Sequence, residues 1–370
     1  MRIGIDARPL ISNTPSGIGV YLLEILRNLD SNTNNTYILY SNEQIHNLDP
    51  ILDKFEKRVV PGKAGTLVVC FKLAKVLKKD QIDVFWGTEH MIPLFLHGIK
   101  KVLTVHDLAL LINPTWGSTK NAIMQNIFCR MSCKCADRII AVSNATKKDI
   151  VNIMGIDSSL ITMIYNGGTS ECQTLSDDAN KLIASKMQVS NSPFFAYVGN
   201  IEPRKNILNI IKAFELLNQE YDGKYKLILA GKMGWKTKPI CEAIEKSSFR
   251  ENIILPGYIS GDEKQFLLKN AEAFVYPSNY EGFGIPVIEA FSVGGLVITN
   301  DNSSLREVGG DAAFYILDSK DYNQIFEKMK EVIGLTREDR YILGNKGKAW
   351  VQQFSWEKCA RETQFLLEHL

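Results

Sequence analysis

Arg204 and Lys205 in "GNIEPRKN", Glu281 and Glu289 in "NYEGFGIPVIEA" and His106 in "TVHD" are the side chains of this sequence best placed to do chemistry. An arginine and a lysine just ahead of a helix start add two full charges to the unpaired N–H groups and partial positive charge of a helix N-terminus. That combination suits a diphosphate. The two glutamates stand eight positions apart, but Gly282, Gly284 and Pro286 forbid a continuous helix between them. They are therefore not decoration on one helix face. Pro286 fits the first helical position, where its missing N–H costs nothing. Glu289 then falls in the first turn and Glu281 in the loop before it. Carboxylates beside a diphosphate repel it, so both read as acceptors for hydroxyls, a sugar for Glu281 and a ribose for Glu289, in preference to an acid–base pair.

Holding these groups together requires a parallel sheet. From Ser192 onward short apolar strands alternate with helices: "FFAYVG" (194–199), a helix capped by Asn206, "YKLILAG" (225–231), "NIILPG" (252–257), "AFVYPS" (273–278) and "GLVITND" (295–301). Their carboxyl ends carry Gly199, Gly231 with Lys232, Gly257 with Tyr258, and the glycine-rich stretch around Glu281. Glycine lets a ligand approach the backbone. The N-terminal half repeats the pattern more loosely, with strands at 2–6, 36–40, 84–87, 101–107, 138–143 and 161–168. The fold class expected is α/β, two doubly wound (Rossmann-like) parallel-sheet domains facing across a cleft. Their boundaries are read as 1–170, a polar linker at 171–192, and 193–350.

A chain of 370 residues is long for one core, and its 45% hydrophobic and 23% charged composition is that of an ordinary globular protein. With 43 basic against 41 acidic side chains, bulk nucleic-acid binding is not expected. "MRIGIDARPL" reads as a strand and not a signal peptide, and no apolar run reaches bilayer length, so a cytoplasmic protein is expected. The seven cysteines are odd in number and scattered, which favours reduced thiols. A zinc site at Cys129, Cys133 and Cys135 would need a fourth ligand that the local sequence does not offer. "GIGVY" (17–21) lacks the third glycine of a dinucleotide fingerprint and lies ten residues past its strand. "FKLAKVLKKD" (71–80) puts Leu73, Val76 and Leu77 on one helix face and Lys72, Lys75, Lys78 and Lys79 on the others, a solvated face with docking on anionic lipid as the alternative.

"EGFGIPVIE" resembles the signature of family 4 retaining glycosyltransferases, two glutamates separated by seven residues. "GNIEPRKNI", "GYIS", "SSLREVGGDAAFYI", "SGIGVYLLEIL", "TVHDLAL" and "VSNATKKDIV" resemble the same family in order and spacing. The resemblance implies the GT-B fold and metal-independent transfer of a sugar, with retention, from a nucleoside-diphosphate sugar, a co-substrate; no cofactor is expected. It implies that Arg204 and Lys205 hold the donor phosphates, Glu281 the sugar and Glu289 the ribose. Phe283, Gly284 and Ile285 offer backbone amides, and Tyr258 marks the base. His106 sits beside the reacting centre, Gly17 and Gly19 lie in a loop that closes over the ligands, and the helix of residues 351–370 packs back on the first domain. The pattern departs at Val20, where an arginine is common, and at "VGGLV" (293–297), which lacks a proline.

The motifs look most like mannosyltransferases of surface-polysaccharide assembly, so GDP-mannose is the first donor expected and a UDP-hexose its rival. The acceptor expected is a saccharide or a lipid-linked saccharide, the latter with peripheral contact at the inner face of the cell membrane. A phosphorylase, a sugar-nucleotide epimerase and a non-catalytic sugar-nucleotide-binding subunit are the alternatives from other classes.

Overall fold

The computed structural model describes residues 1–12, 16–30, 34–46, 49–61, 66–94, 96–168 and 175–370. The chain divides into two compact units, Met1–Gly167 with Phe354–Leu370, and Gly168–Gln353.

Among the described residues the first unit has seven strands: β1 (Arg2–Asp6), β2 (Thr36–Ser41), β3 (Glu56–Val59), β4 (Val84–Gly87), β5 (Lys100–Val105), β6 (Arg138–Ala141) and β7 (Ile161–Met163). They lie in the order β3-β2-β1-β4-β5-β6-β7, every neighbouring pair parallel. β4 and β6 are buried along most of their length, as strands covered on both faces must be. β3, "EKRV", is an exposed edge strand whose charged residues give no apolar signal. The helix Trp356–Glu368 packs on the helix Gly17–Asn28, with the Trp356 and Tyr21 rings 6.2 Å apart.

The second unit holds β8 (Phe194–Val198), β9 (Lys226–Ala230), β10 (Ile253–Gly257), β11 (Phe274–Tyr276), β12 (Val297–Asn300) and β13 (Phe314–Ile316), in the order β10-β9-β8-β11-β12-β13 and again all parallel. The chain winds outward one way from β8, then returns to start again at β11. The β8–β11 pair is therefore the switch point of the sheet, where the loops beyond the carboxyl ends diverge and leave room for a ligand.

Several local expectations change. Part of the expected linker is the helix Asp177–Lys186, capped by Ser176 with two aspartates in its first turn; it sits in the second unit, where Lys186 pairs with Glu263. Residues 169–174 lie outside the described residues. Asn206 does precede the helix Ile207–Glu220, but at φ +63 its side chain turns away from the N-cap role and donates to Ser319 O at 2.7 Å. Cys129 and Cys133 are buried one turn apart on the helix Thr119–Cys135. Lys72, Lys75, Lys78 and Lys79 are exposed on the helix Thr66–Lys79 while Leu73 and Leu77 are buried, a pattern that fits both readings of that segment. Among the described residues no helix is long and apolar enough to cross a membrane.

Candidate active site

The two strands at the switch point deliver the basic pair and Glu281 to one place. After β8 the chain makes one tight turn, Pro203–Lys205, that carries Arg204 and Lys205. After β11 it runs through Ser278 and Tyr280 to Glu281. Asn279 N donates to Arg204 O at 2.8 Å, tying the two loops together. The loop after β12 braces them from the other side. Ser303 Oγ accepts from Glu281 N at 3.1 Å, and Ser304 Oγ lies 2.9 Å and 2.7 Å from the carbonyls of Glu281 and Phe283. The serines of "SSLREV" thus shape the turn that presents Glu281, and Asn300 adds bonds to the carbonyls of Pro277 and Ser278.

Glu281 is only 7% exposed, and its carboxylate meets both cations. Oε1 stands 2.6 Å from Lys205 Nζ and Oε2 3.0 Å from Arg204 Nη1, with the Ser278 hydroxyl as a further donor. Burial pushes its pKa up, but the charges of Arg204 and Lys205 and the donated hydrogen bonds outweigh burial and leave it at about 2. Lys205 is 8% exposed. Burial pushes its ammonium down while Glu281 opposes the shift. Its Nζ also donates to the Tyr276 hydroxyl at 2.6 Å. Arg204 donates to Tyr280 O at 2.7 Å and to Glu202 Oε1 at 2.9 Å. Two cations and two carboxylates therefore make a neutral cluster, where the sequence suggested a positive one with the acid held apart.

Glu289 is separate from this cluster. The helix runs Ile285–Ser292, with Gly284 as its cap at φ +109 and Pro286 second and not first. Pro286 still loses nothing there, because the first four N–H groups have no partner within the helix. Glu289 is consequently the fifth helical residue, past the first turn, and its Oε1 pairs with Lys264 at 2.5 Å. Lys264 comes from the helix Gly261–Asn270 after β10, and no sequence motif marks it. Phe283, Gly284 and Ile285 form the entry to the Ile285–Ser292 helix, where N–H groups are in surplus.

At the other strand ends the glycines are required. A Cβ on Gly231, at φ +143, would stand 1.9 Å from Gly199 O, so the ends of β8 and β9 approach each other only because that side chain is absent. Tyr258, 65% exposed, offers its ring beyond β10, with Lys232 Nζ 5.0 Å from the ring centroid.

In the first unit, His106 follows β5. Its Nε2 lies 2.8 Å from Thr88 O; a carbonyl only accepts, so Nε2 carries the proton and Nδ1 the lone pair. Burial first, then neighbouring His90, hold its pKa down to about 3, so the ring is neutral at ordinary pH. Tyr21 packs edge-on at 4.7 Å and His90 at 5.6 Å. The next residue, Asp107, accepts from Ala109 N at 3.0 Å and steadies the turn that follows. Gly17 and Gly19 are not loop residues: Ser16 accepts from Gly19 N and starts the helix Gly17–Asn28 there. Residues 13–15 of the expected closing loop lie outside the described residues.

The comparisons with known proteins match this arrangement unit by unit. The family described as Glycosyltransferase Family 4 matches residues 15–168, and the one described as Glycosyl transferases group 1 matches residues 178–350. The O-antigen chain mannosyltransferase B of Escherichia coli is 29% identical over 76% of this chain and 72% of its own length. The serotype-specific mannosyltransferase WbdA of Escherichia coli is 30% identical over 61% of this chain, which spans 28% of that longer protein. The crystal structure of Anabaena Alr3699/HepE in complex with UDP-glucose has a TM-score of 0.80 at 17% identity, covering 100% of this chain and 99% of that one. With each unit matched by its own family, and the basic pair and glutamate converging at the switch point of the second, the chain belongs to the family 4 glycosyltransferases and has the GT-B fold.

Proposed function

We propose that this glycosyltransferase moves mannose from GDP-mannose, with retention and without a metal ion, to a saccharide or lipid-linked saccharide acceptor of surface-polysaccharide assembly. The observation that carries the reading is the convergence of Arg204, Lys205 and Glu281 at the β8–β11 switch point. A diphosphate brings the negative charge that this neutral cluster can exchange for Glu281, and the displaced carboxylate then meets the hydroxyls of the sugar. The likeness to the O-antigen chain mannosyltransferase B and the serotype-specific mannosyltransferase WbdA supports the choice of mannose.

In this reading the donor occupies the second unit. As the bond to the anomeric carbon breaks, charge grows on the leaving diphosphate, and Arg204 and Lys205 stabilise it together with the amides of Phe283, Gly284 and Ile285. The departing phosphate helps to take the proton of the acceptor hydroxyl, which attacks from the same face. His106, neutral and with a lone pair on Nδ1, suits a hydrogen bond to a sugar hydroxyl from the first unit. Glu289 holds the ribose and Tyr258 the base.

A UDP-hexose is the competing donor, and the HepE structure contains UDP-glucose, although at 17% identity it speaks for the fold. Calorimetric titration with GDP, UDP and ADP, followed by the corresponding sugar nucleotides, tests the proposal. GDP and GDP-mannose binding with Kd in the micromolar range supports it; selective binding of UDP transfers the reading to a UDP-hexose. Absence of binding to all three, or detection of a glycosyl adduct on Glu281, overturns the mechanism.

A further inference from the structure

Tyr276 is a buried aromatic residue at the end of β11, and packing accounts for its ring but not for its hydroxyl. The ring stacks on Tyr197 of neighbouring β8, 5.9 Å away at 16°, and on Phe274, 5.4 Å away at 23°. A phenylalanine fills the same column. A buried hydroxyl is costly unless it finds partners. This one finds a charged partner: it accepts from Lys205 Nζ at 2.6 Å. The same Nζ donates to Glu281 Oε1 at 2.6 Å, so Lys205 links the three groups, with Tyr276 as the neutral member.

This linkage fixes geometry and adds no charge. Lys205 has three N–H donors. Two are committed, to Tyr276 and Glu281, which leaves one for a ligand. Glu281 is held through Oε1 by Lys205 and Ser278, so a phosphate that takes Arg204 away from Oε2 does not set the carboxylate loose. Tyr276 stands on a central strand of the sheet, whereas both residues it joins stand on loops, and a site built on a strand is held more firmly.

We propose that Tyr276 is a positioning residue for sugar transfer, its hydroxyl anchoring Lys205 and, through Lys205, Glu281, so that the pair keeps its shape when a donor diphosphate displaces Glu281 from Arg204. The assignment rests on the donor-binding reading above. It gives a specific role to a hydroxyl buried within the protein.

The test compares Tyr276→Phe with Tyr197→Phe. Both remove one phenolic oxygen from the same aromatic column, but the Tyr197 hydroxyl donates to Asn200 O, not to the Lys205–Glu281 pair. The readouts are Tm, calorimetric affinity for GDP and UDP, and release of nucleoside diphosphate from GDP-mannose or UDP-glucose with water as acceptor. Tyr276→Phe is expected to lower kcat about tenfold, the equivalent of one hydrogen bond to a charged group, with donor KM changed by less than about threefold. Tyr197→Phe is expected to keep kcat within about twofold. A Tyr276→Phe enzyme with unaltered kcat overturns the assignment, as does an equal loss in both variants accompanied by an equal fall in Tm. If the unaltered protein binds neither nucleoside diphosphate, the donor-binding reading itself fails and takes the assignment with it.

Discussion

Glu281 Oε2 stands 3.0 Å from Arg204 Nη1, so the acid proposed to meet the sugar and a cation proposed to meet the phosphate are each other's partners. Any diphosphate that reaches Arg204 must compete with that carboxylate. The consequence runs against the usual expectation for a binding residue. Glu281→Gln removes the competing charge, leaves an amide oxygen for Lys205 and Ser278, and should bind nucleoside diphosphate about fivefold more tightly, the equivalent of about 1 kcal/mol of charge interaction in a partly screened site. The same variant should turn over the sugar nucleotide at least 100-fold more slowly, because its amide is a weaker acceptor for the sugar hydroxyls. Titration with GDP and UDP beside a turnover assay separates the two effects. Weaker diphosphate binding by Glu281→Gln would refute the competition.

The two cations differ in what they do for stability. Lys205 is buried and its loss leaves Glu281 with a single charged partner inside the protein, a change expected to cost about 3 kcal/mol in Lys205→Ala. Arg204 divides its bonds between Glu202, Tyr280 O and Glu281, and Lys205 remains on Glu281 when it is removed. Arg204→Ala should therefore lose less than half as much in urea unfolding while losing more than 100-fold in turnover. Equal destabilisation by the two substitutions would contradict this division.

The sheet was legible because parallel strands covered on both faces are short apolar runs, and "FFAYV", "KLILA" and "VITN" are unmistakable between helical stretches. Edge strand β3 was not, since "EKRV" is exposed and carries no such run. Arg204, Lys205 and Glu281 were legible from charge beside glycine and proline. Their mutual pairing was not, because it depends on which loops the strand order brings together, and β8 and β11 are separated by two intervening strands in sequence. Lys264 escaped for the same reason. It sits on an ordinary amphipathic helix, and only the packing of that helix beside Ile285–Ser292 turns it toward Glu289. Tyr276 reads as one more apolar strand residue until its hydroxyl is located.

His106 provides a pH signature in the first unit. Its pKa in the folded state is about 3, against about 6.5 for a free imidazole. As pH falls below the unfolded value the unfolded chain takes up the proton first. The stability that depends on neutral His106 is therefore complete above about pH 6.5 and is lost progressively toward pH 3. His90 is shifted down as well and adds loss of the same sign. His106→Asn, whose amide N–H can still donate to Thr88 O, should make the pH dependence of unfolding free energy between pH 6 and 4 shallower by up to about 1.4 kcal/mol per pH unit, one proton's worth. An unchanged slope would mean that His106 titrates normally.

Glu289 carries the last prediction, and its partner makes it a sharp one. The Lys264 pair at 2.5 Å fixes Oε1, so the proposed ribose contact falls to Oε2. If Glu289 reads the ribose, then Glu289→Gln and removal of the ribose hydroxyls from the ligand delete the same interaction, and their effects must not add. GDP is expected to bind the variant about tenfold more weakly than the unaltered protein, one charge-assisted hydrogen bond. The 2′,3′-dideoxy nucleotide should bind both proteins equally. Lys264→Met should weaken GDP binding less than Glu289→Gln does, because it releases the carboxylate without removing it. A double-mutant cycle across protein and ligand measures the coupling directly, and full additivity would place the ribose elsewhere.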